Sequence, residues 1–238
     1  MKNKVFFVFL FSLFTISIFA QNDHRSTGLI FDDEAYNQVP HLPKYEGKKY
    51  NEIPVKVSLK EYCPTPGDQG TNGSCVGWAT GYAGLTITHA ILDSITDKEM
   101  INSMAHSALY IYNQIKLESD DCGAGSKITD ALTLLREKGD CFANSFDSEL
   151  ENCDRQPDKD LHEEAEPHKI KDYAAVFNFA DEANTKIDQT RKSLIDKKPV
   201  IIGMNITPSF WNIEPGQQIW EFEEGEAILG GHAMVVVG

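Results

Sequence analysis

The sequence predicts an α+β protein in which helices come first and strands follow. Three observations carry this. Apolar residues recur at helical spacing between residues 75 and 138. Runs rich in β-branched residues gather beyond residue 172. Between the ends there is no strand–helix–strand alternation and no internal repeat, which sets aside a parallel, doubly wound sheet.

At the start, Lys2 and Lys4 precede an apolar run from Val5 to Phe19, closed by Ala20 before the polar Gln21-Asn22-Asp23. A charged, then apolar, then small-residue order is that of a secretory signal peptide, residues 1–20. The run falls short of the roughly 20 residues that cross a bilayer, so no lasting membrane insertion is expected once it is removed. Residues 21–52 show no sustained period and read as an extended lead segment. The globular part begins near Ile53-Pro54. Residues 55–74 hold Pro64, Pro66, Gly67, Gly70 and Gly73, a loop of turn formers.

The first strong helix runs from Cys75 to about Leu92, with Ser74 as its expected N-cap. Gly77, Gly81 and Gly84 each cost about 1 kcal/mol of helix propensity against alanine. Such a helix requires neighbours that pack close against its backbone. Further helices are expected over Ser107 to Leu117, over Lys127 to Lys138 (ended by Gly139) and over residues 183 to 196. Residues 144–169 are charged and read as irregular. Tyr173 to Phe179, Val200 to Ile206 and Ala233 to Val237 read as strands.

The charge balance, 36 acidic against 22 basic residues for a net −14, excludes a nucleic-acid partner, which needs a basic surface. An acidic exterior serves solubility. Export gives the five cysteines meaning, because disulfides persist outside the cytosol. Cys63, Cys122, Cys141 and Cys153 could form two bridges in any of three pairings, leaving Cys75 free.

The chemistry gathers around that free thiol. Cys75 follows a glycine-rich turn and opens a helix, where the dipole favours the thiolate. His232, in Gly230-Gly231-His232-Ala233, stands at the mouth of an apolar strand and is the histidine placed to take the thiol proton. Gln69 lies six residues before Cys75 (75 − 69), close enough for its amide to join the Cys75 N–H in holding an oxyanion.

Gln69-Gly70-x-x-Gly73-Ser74-Cys75 resembles the oxyanion and nucleophile block of papain-family (C1) cysteine peptidases. Gly231-His232-Ala233 before Val235-Val236-Val237-Gly238 resembles the same family's histidine block. Their separation is 232 − 75 = 157 residues, slightly above the roughly 130–150 of the papain pattern. Weaker similarities lie at Ile53-Pro54, Ser107-Ala108-Leu109-Tyr110, Gly125-Ser126-Lys127-Ile128 and Lys198-Pro199-Val200.

The resemblance implies a two-lobed papain-like fold: a helical lobe over about 53–165 with Cys75, a β-rich lobe over about 166–238 with His232, and a cleft between. It implies Cys75, His232 and Gln69 as catalytic residues, with Gly125, Ser126 and Gly231 lining the substrate. Residues 21–52 would be a short pro-region. The implied activity is hydrolysis of peptide bonds in protein or peptide substrates, with no metal and no organic cofactor.

There are departures from the family pattern. Asn72 replaces a family cysteine, and Val76 replaces an aromatic, as in bacterial branches. The family's histidine-orienting asparagine is absent from residues 233–238, so the chain is expected to be a truncated peptidase. The alternatives are a catalytically inactive binding module and a Cys-His amidase or transferase.

Other features take plainer readings. Glu163, Glu164 and Glu166 beside His162 and His168 lack metal-ligand spacing and read as a solvated stretch. Trp211 and Trp220 read as packing residues rather than cleft walls.

Overall fold

The computed structural model describes residues 26–43, 54, 56–117, 122–147, 152–213, 216–217 and 219–238. The signal-peptide segment, residues 1–20, lies outside the described residues. Within the lead segment, Asp32 caps α1 (Asp33–Gln38) by accepting from the Ala35 N–H. The described part of the lead segment, residues 26–43, is therefore not extended throughout.

A continuous central helix follows, made of α2 (Cys75–Gly77), a wider π-helical stretch (Trp78–Leu85) and α3 (Thr86–Leu92). The three glycines are explained by contact. A Cβ on Gly77 would meet the Ala108 carbonyl oxygen at 2.2 Å, and one on Gly81 would meet the Asp140 carboxylate at 2.5 Å. Ser74 sits at the N-cap position, but its hydroxyl makes no capping bond and is buried without a hydrogen-bond partner among the described residues. The expected cap is thus positional only.

Helices α4 (Lys98–Ser103), α5 (Ala108–Ile115) and α6 (Ile128–Glu137) pack around this rod. Ser107 caps α5 through the Tyr110 N–H, and Gly139, at φ +80°, ends α6. The core unites Val76, Ala79 and Leu85 with Leu109, Ile111, Ala131 and Leu135, all essentially inaccessible to water.

Residues 144–169 correct the sequence reading, because they are not simply irregular. They contain most of α7 (Ala143–Phe146), then α8 (Lys159–Ala165) capped by Asp158, then a 3-10 turn over Glu166–His168. Leu161 and Ala165 are buried among charged neighbours, a spacing too sparse to show as a period.

The remaining elements are α9 (Ala183–Ile195), β1 (Val200–Ile206), α10 (Pro208–Trp211) and β2 (Gly230–Val236). The two strands are antiparallel, with Val200 opposite Val236 and Met204 opposite His232. β2 begins three residues before the expected Ala233 because the Gly230-Gly231 backbone pairs with Ile206 and Asn205. The expected strand at Tyr173 to Phe179 is not one. That stretch makes a single bridge, Ala175 with His41, through bonds to Pro40 and Leu42 of the lead segment.

The cysteines form one bridge rather than two. Cys122 and Cys153 are joined, while Cys63, Cys75 and Cys141 are free. Cys63 and Cys141 lie in different environments, Cys63 half-buried against the Leu59 carbonyl and Cys141 buried in the main core.

Three imidazoles meet inside the helical part. His106 Nε2 lies 2.8 Å from His89 Nδ1, and the His168 ring centre is 5.0 Å from that of His106. His168 Nδ1 is 3.0 Å from the Asp140 carbonyl oxygen. Burial, with the neighbouring imidazoles adding to it, pushes His106 down to about 3. His89 is lowered by burial and by His168, with Asp93 opposing.

Both histidines bind protons less readily folded than unfolded. The stability they contribute is present above pH 6.5 and is lost as pH falls towards 3. Asp140, raised chiefly by its own burial, contributes with the opposite sign. The urea midpoint of the wild type is expected to fall from pH 6.5 to 4 more steeply than that of His106→Gln. Parallel pH slopes for the two proteins would contradict this.

Candidate active site

The turn before Cys75 is built by backbone demands. Gly70 takes φ +60°, the Gly73 N–H donates to the Cys122 carbonyl at 2.7 Å, and a Cβ on Gly73 would meet the Ala124 carbonyl at 2.5 Å. This delivers Cys75 to the first turn of the central helix, 1 % exposed. The backbone N–H groups of Ala233, Gly28, Val76 and Cys75 itself act electrostatically to lower its thiol pKa.

Cys75 is buried in one core cluster with Ala233, the β2 residue after His232. The structure thus brings together the cysteine and the histidine block, 157 residues apart in sequence (232 − 75). His232 is half-buried, and its Nδ1 has no hydrogen-bond partner among the described residues. Its ring lies 5.6 Å from that of Trp211 and 6.2 Å from that of Phe210. Trp211 therefore walls the site, contrary to its reading as packing alone. Trp220 stands behind, stacked edge-on to Phe210 at 5.3 Å, with its indole N–H donating to Ser209 Oγ.

The cleft between these elements is filled by the protein's own lead segment. The Gln69 side-chain amide donates to the Ser26 carbonyl at 2.8 Å and to the Asn72 carbonyl at 2.9 Å. Gly28 lies so close to the turn that a Cβ on it would stand 1.8 Å from the Gly73 carbonyl oxygen. Leu29 is then gripped from both lobes. Its N–H donates to the Gly231 carbonyl at 3.0 Å, while Ser126 accepts from the Ile30 N–H at 3.0 Å and donates to the Gly28 carbonyl at 2.7 Å.

The pairing with Ser126 is parallel and that with Gly231 antiparallel. Gly125 and Gly231 face the segment closely, for a Cβ on either would meet its backbone at 2.8 Å and 2.4 Å. Leu29 is 8 % exposed and lies over Gly203 of β1. Farther along, Lys127 Nζ pairs with Asp32 at 2.6 Å. Of the six residues singled out from the sequence, Gln69, Ser126 and Gly231 bond to the lead segment's backbone and Gly125 abuts it, while Cys75 is buried in one cluster with Leu29 and His232 follows Gly231 in β2.

Electrostatically the covered site is at rest. Burial raises the Cys75 thiol above its ordinary range, against the pull of the four N–H groups. Burial lowers His232. Both shifts favour the neutral thiol and neutral imidazole over the ion pair. The tempting acidic group beyond the cleft is dispersed: His162 faces the Tyr110 hydroxyl and His168 the Asp140 carbonyl. Among the described residues no group of three or more His, Cys, Asp or Glu is placed to hold a metal ion.

The fold is that of the papain-like cysteine proteases. Xylellain, a cysteine protease from Xylella fastidiosa, superposes with a TM-score of 0.64 at 19% identity, over 90% of this chain and 78% of that one. Digestive procathepsin L 3 of Tenebrio molitor larval midgut gives 0.59 at 13% identity, over 84% and 59%. A procathepsin B from Trypanosoma congolense gives 0.58 at 15% identity, over 90% and 70%. No protein-family model and no curated protein matches the chain.

Sequence reasoning did not find Gly28, Leu29, Asp32 or Phe210. A single local signal existed for the first two, the run Gly28-Leu29-Ile30-Phe31, apolar within an otherwise polar lead segment.

Proposed function

We propose that the chain is an exported thiol peptidase held latent by its own lead segment. The observation that carries this reading is the occupied cleft. A peptide segment, the protein's own, lies across Cys75 with its backbone bonded on both sides and a carbonyl held by Gln69. A groove that grips backbone in this way suits peptide substrates.

With the segment displaced, Cys75 regains access to water and to His232, and the ion pair becomes favourable. The thiolate attacks a peptide carbonyl. Gln69 and the Cys75 N–H stabilise the oxyanion, His232 protonates the leaving amine, and water, deprotonated by His232, releases the acyl group. The apolar start of the chain and the Cys122–Cys153 bridge support export. Among the described residues no helix is long and apolar enough to cross a membrane.

The test combines hydrolysis and labelling in a full-length chain whose lead segment is unseated by Gly28→Val. Peptides are expected to be cut, and iodoacetamide at pH 5.5 should label Cys75 ahead of Cys63 and Cys141. Labelling of Cys75 no faster than of the other two would sink the peptidase reading in favour of an inert binding module. Aminolysis products exceeding hydrolysis, with a competing amine present, would point to a transferase.

A further inference from the structure

The segment in the cleft is a peptide ligand whose contacts sample the chemistry of each position. The inference drawn here rests on the peptidase reading above. Its backbone bonds to Ser126 and Gly231 are indifferent to sequence. Its side-chain contacts are not. Leu29 fills the hollow over Gly203 and Ile128, and Asp32 meets Lys127.

The Lys127–Asp32 pair is a defined contact rather than a surface coincidence. Lys127 directly follows Ser126 in sequence and is the N-cap residue of α6, so its backbone is fixed. Its side chain is 31% exposed and that of Asp32 22%, and the cavity of about 810 Å³ along this wall is lined by both. Asp32 is in turn fixed as the N-cap of α1. Among the described residues Asp32 is the carboxylate paired with Lys127, and Asp130 acts on it only at longer range.

When a substrate replaces the lead segment, the Lys127 ammonium loses its carboxylate. A peptide bringing an acidic side chain to the same point restores the pair, and one bringing a basic side chain sets like charges together in a partly desolvated groove. The preference is local, since the protein carries a net charge of −14 and gives acidic ligands no general attraction.

We propose that Lys127 is a specificity-determining residue of the cleft, selecting peptides with aspartate or glutamate at the position taken by Asp32. The test uses full-length chains carrying Gly28→Val and peptide sets that place Asp, Asn or Lys at each position flanking the cut. At one position the Asp peptide should be cut about 5- to 10-fold faster than the Lys peptide, the range of a partly exposed ion pair. Lys127→Glu should invert that ratio and Lys127→Met abolish it, with preferences at the other positions unchanged.

An unaltered ratio in Lys127→Glu, or a charge effect spread over every position, overturns the proposal while leaving the peptidase reading intact. A second measurement needs no turnover. In chains retaining Gly28, Asp32→Lys should speed iodoacetamide labelling of Cys75, and Asp32→Lys with Lys127→Glu should restore protection. Failure of the double exchange to restore it counts against the pair as a recognition contact, whether or not any peptide is cut.

Discussion

Gly28→Val is expected to unseat the lead segment and raise the rate of Cys75 alkylation by about 100-fold or more. The steric argument is direct, because a Cβ at residue 28 would stand 1.8 Å from the Gly73 carbonyl oxygen. That oxygen belongs to a turn which cannot retreat. The Gly73 N–H is bonded to the Cys122 carbonyl, and Gly73 itself abuts the Ala124 backbone.

The segment must therefore lift, losing the backbone bonds of Leu29, Ile30 and Ser126 and the burial of the Leu29 side chain. Burial of one leucine is worth about 1.5–3 kcal/mol and each backbone bond about 1 kcal/mol. At about 1.4 kcal/mol per tenfold, the covered state loses its advantage by several decades. Lifting also removes the burial that holds the thiol protonated, so reactivity should extend to lower pH than in the wild type. Iodoacetamide labelling followed by peptide mapping measures both. A lowered melting temperature with no change at Cys75 would show that Gly28 serves folding alone.

The second large effect concerns Cys75 and His232 as a unit. In the unseated chain, Cys75→Ala and His232→Ala are each expected to lower kcat/KM for a peptide by at least about 10⁴-fold. The double variant should lose little more than either single one, because nucleophile and base work only together. Initial rates on one peptide with the four chains make the comparison. Losses that multiply would mean that the two residues act independently and that the thiolate–imidazole pair is not the catalytic unit. Gln69→Ala is expected to be milder, about 10²–10³-fold in kcat, as for other single oxyanion donors.

Much of the scaffold was legible because its signals are local. The central helix announced itself by its apolar spacing and by a turn crowded with glycine, and β1 and α9 emerged close to their expected bounds. The three glycines of the central helix predicted close neighbours, and Ala108, Asp140 and Ile201 supply them. The site residues were legible for a different reason, in that two short blocks resemble one known family.

The misreadings share a physical cause. Helix α8 buries only Leu161 and Ala165 in a charged stretch, so its stability comes from docking, not from a periodic face. Tyr173 to Phe179 has strand composition, but among the described residues its one backbone bridge is to His41 of the lead segment. Cys63 and Cys141 are the right residue type for a second bridge and sit in different core environments.

Cys75, His232 and Gln69 were determined as candidates by the sequence alone, since the chemistry of a thiol, an imidazole and an amide is written in residue type and short spacing. That Gln69 and the strand bearing His232 both hold the lead segment, with Cys75 buried beside Leu29, was decided only by the tertiary structure. The filling depends on Gly28 slotting against Gly73, on Leu29 bonded between Ser126 and Gly231, and on Asp32 meeting Lys127. Each of these pairs joins residues 45 or more positions apart (73 − 28). Contacts at such range have no local signature, and they exist because burial and backbone pairing favour one way of closing the chain on itself.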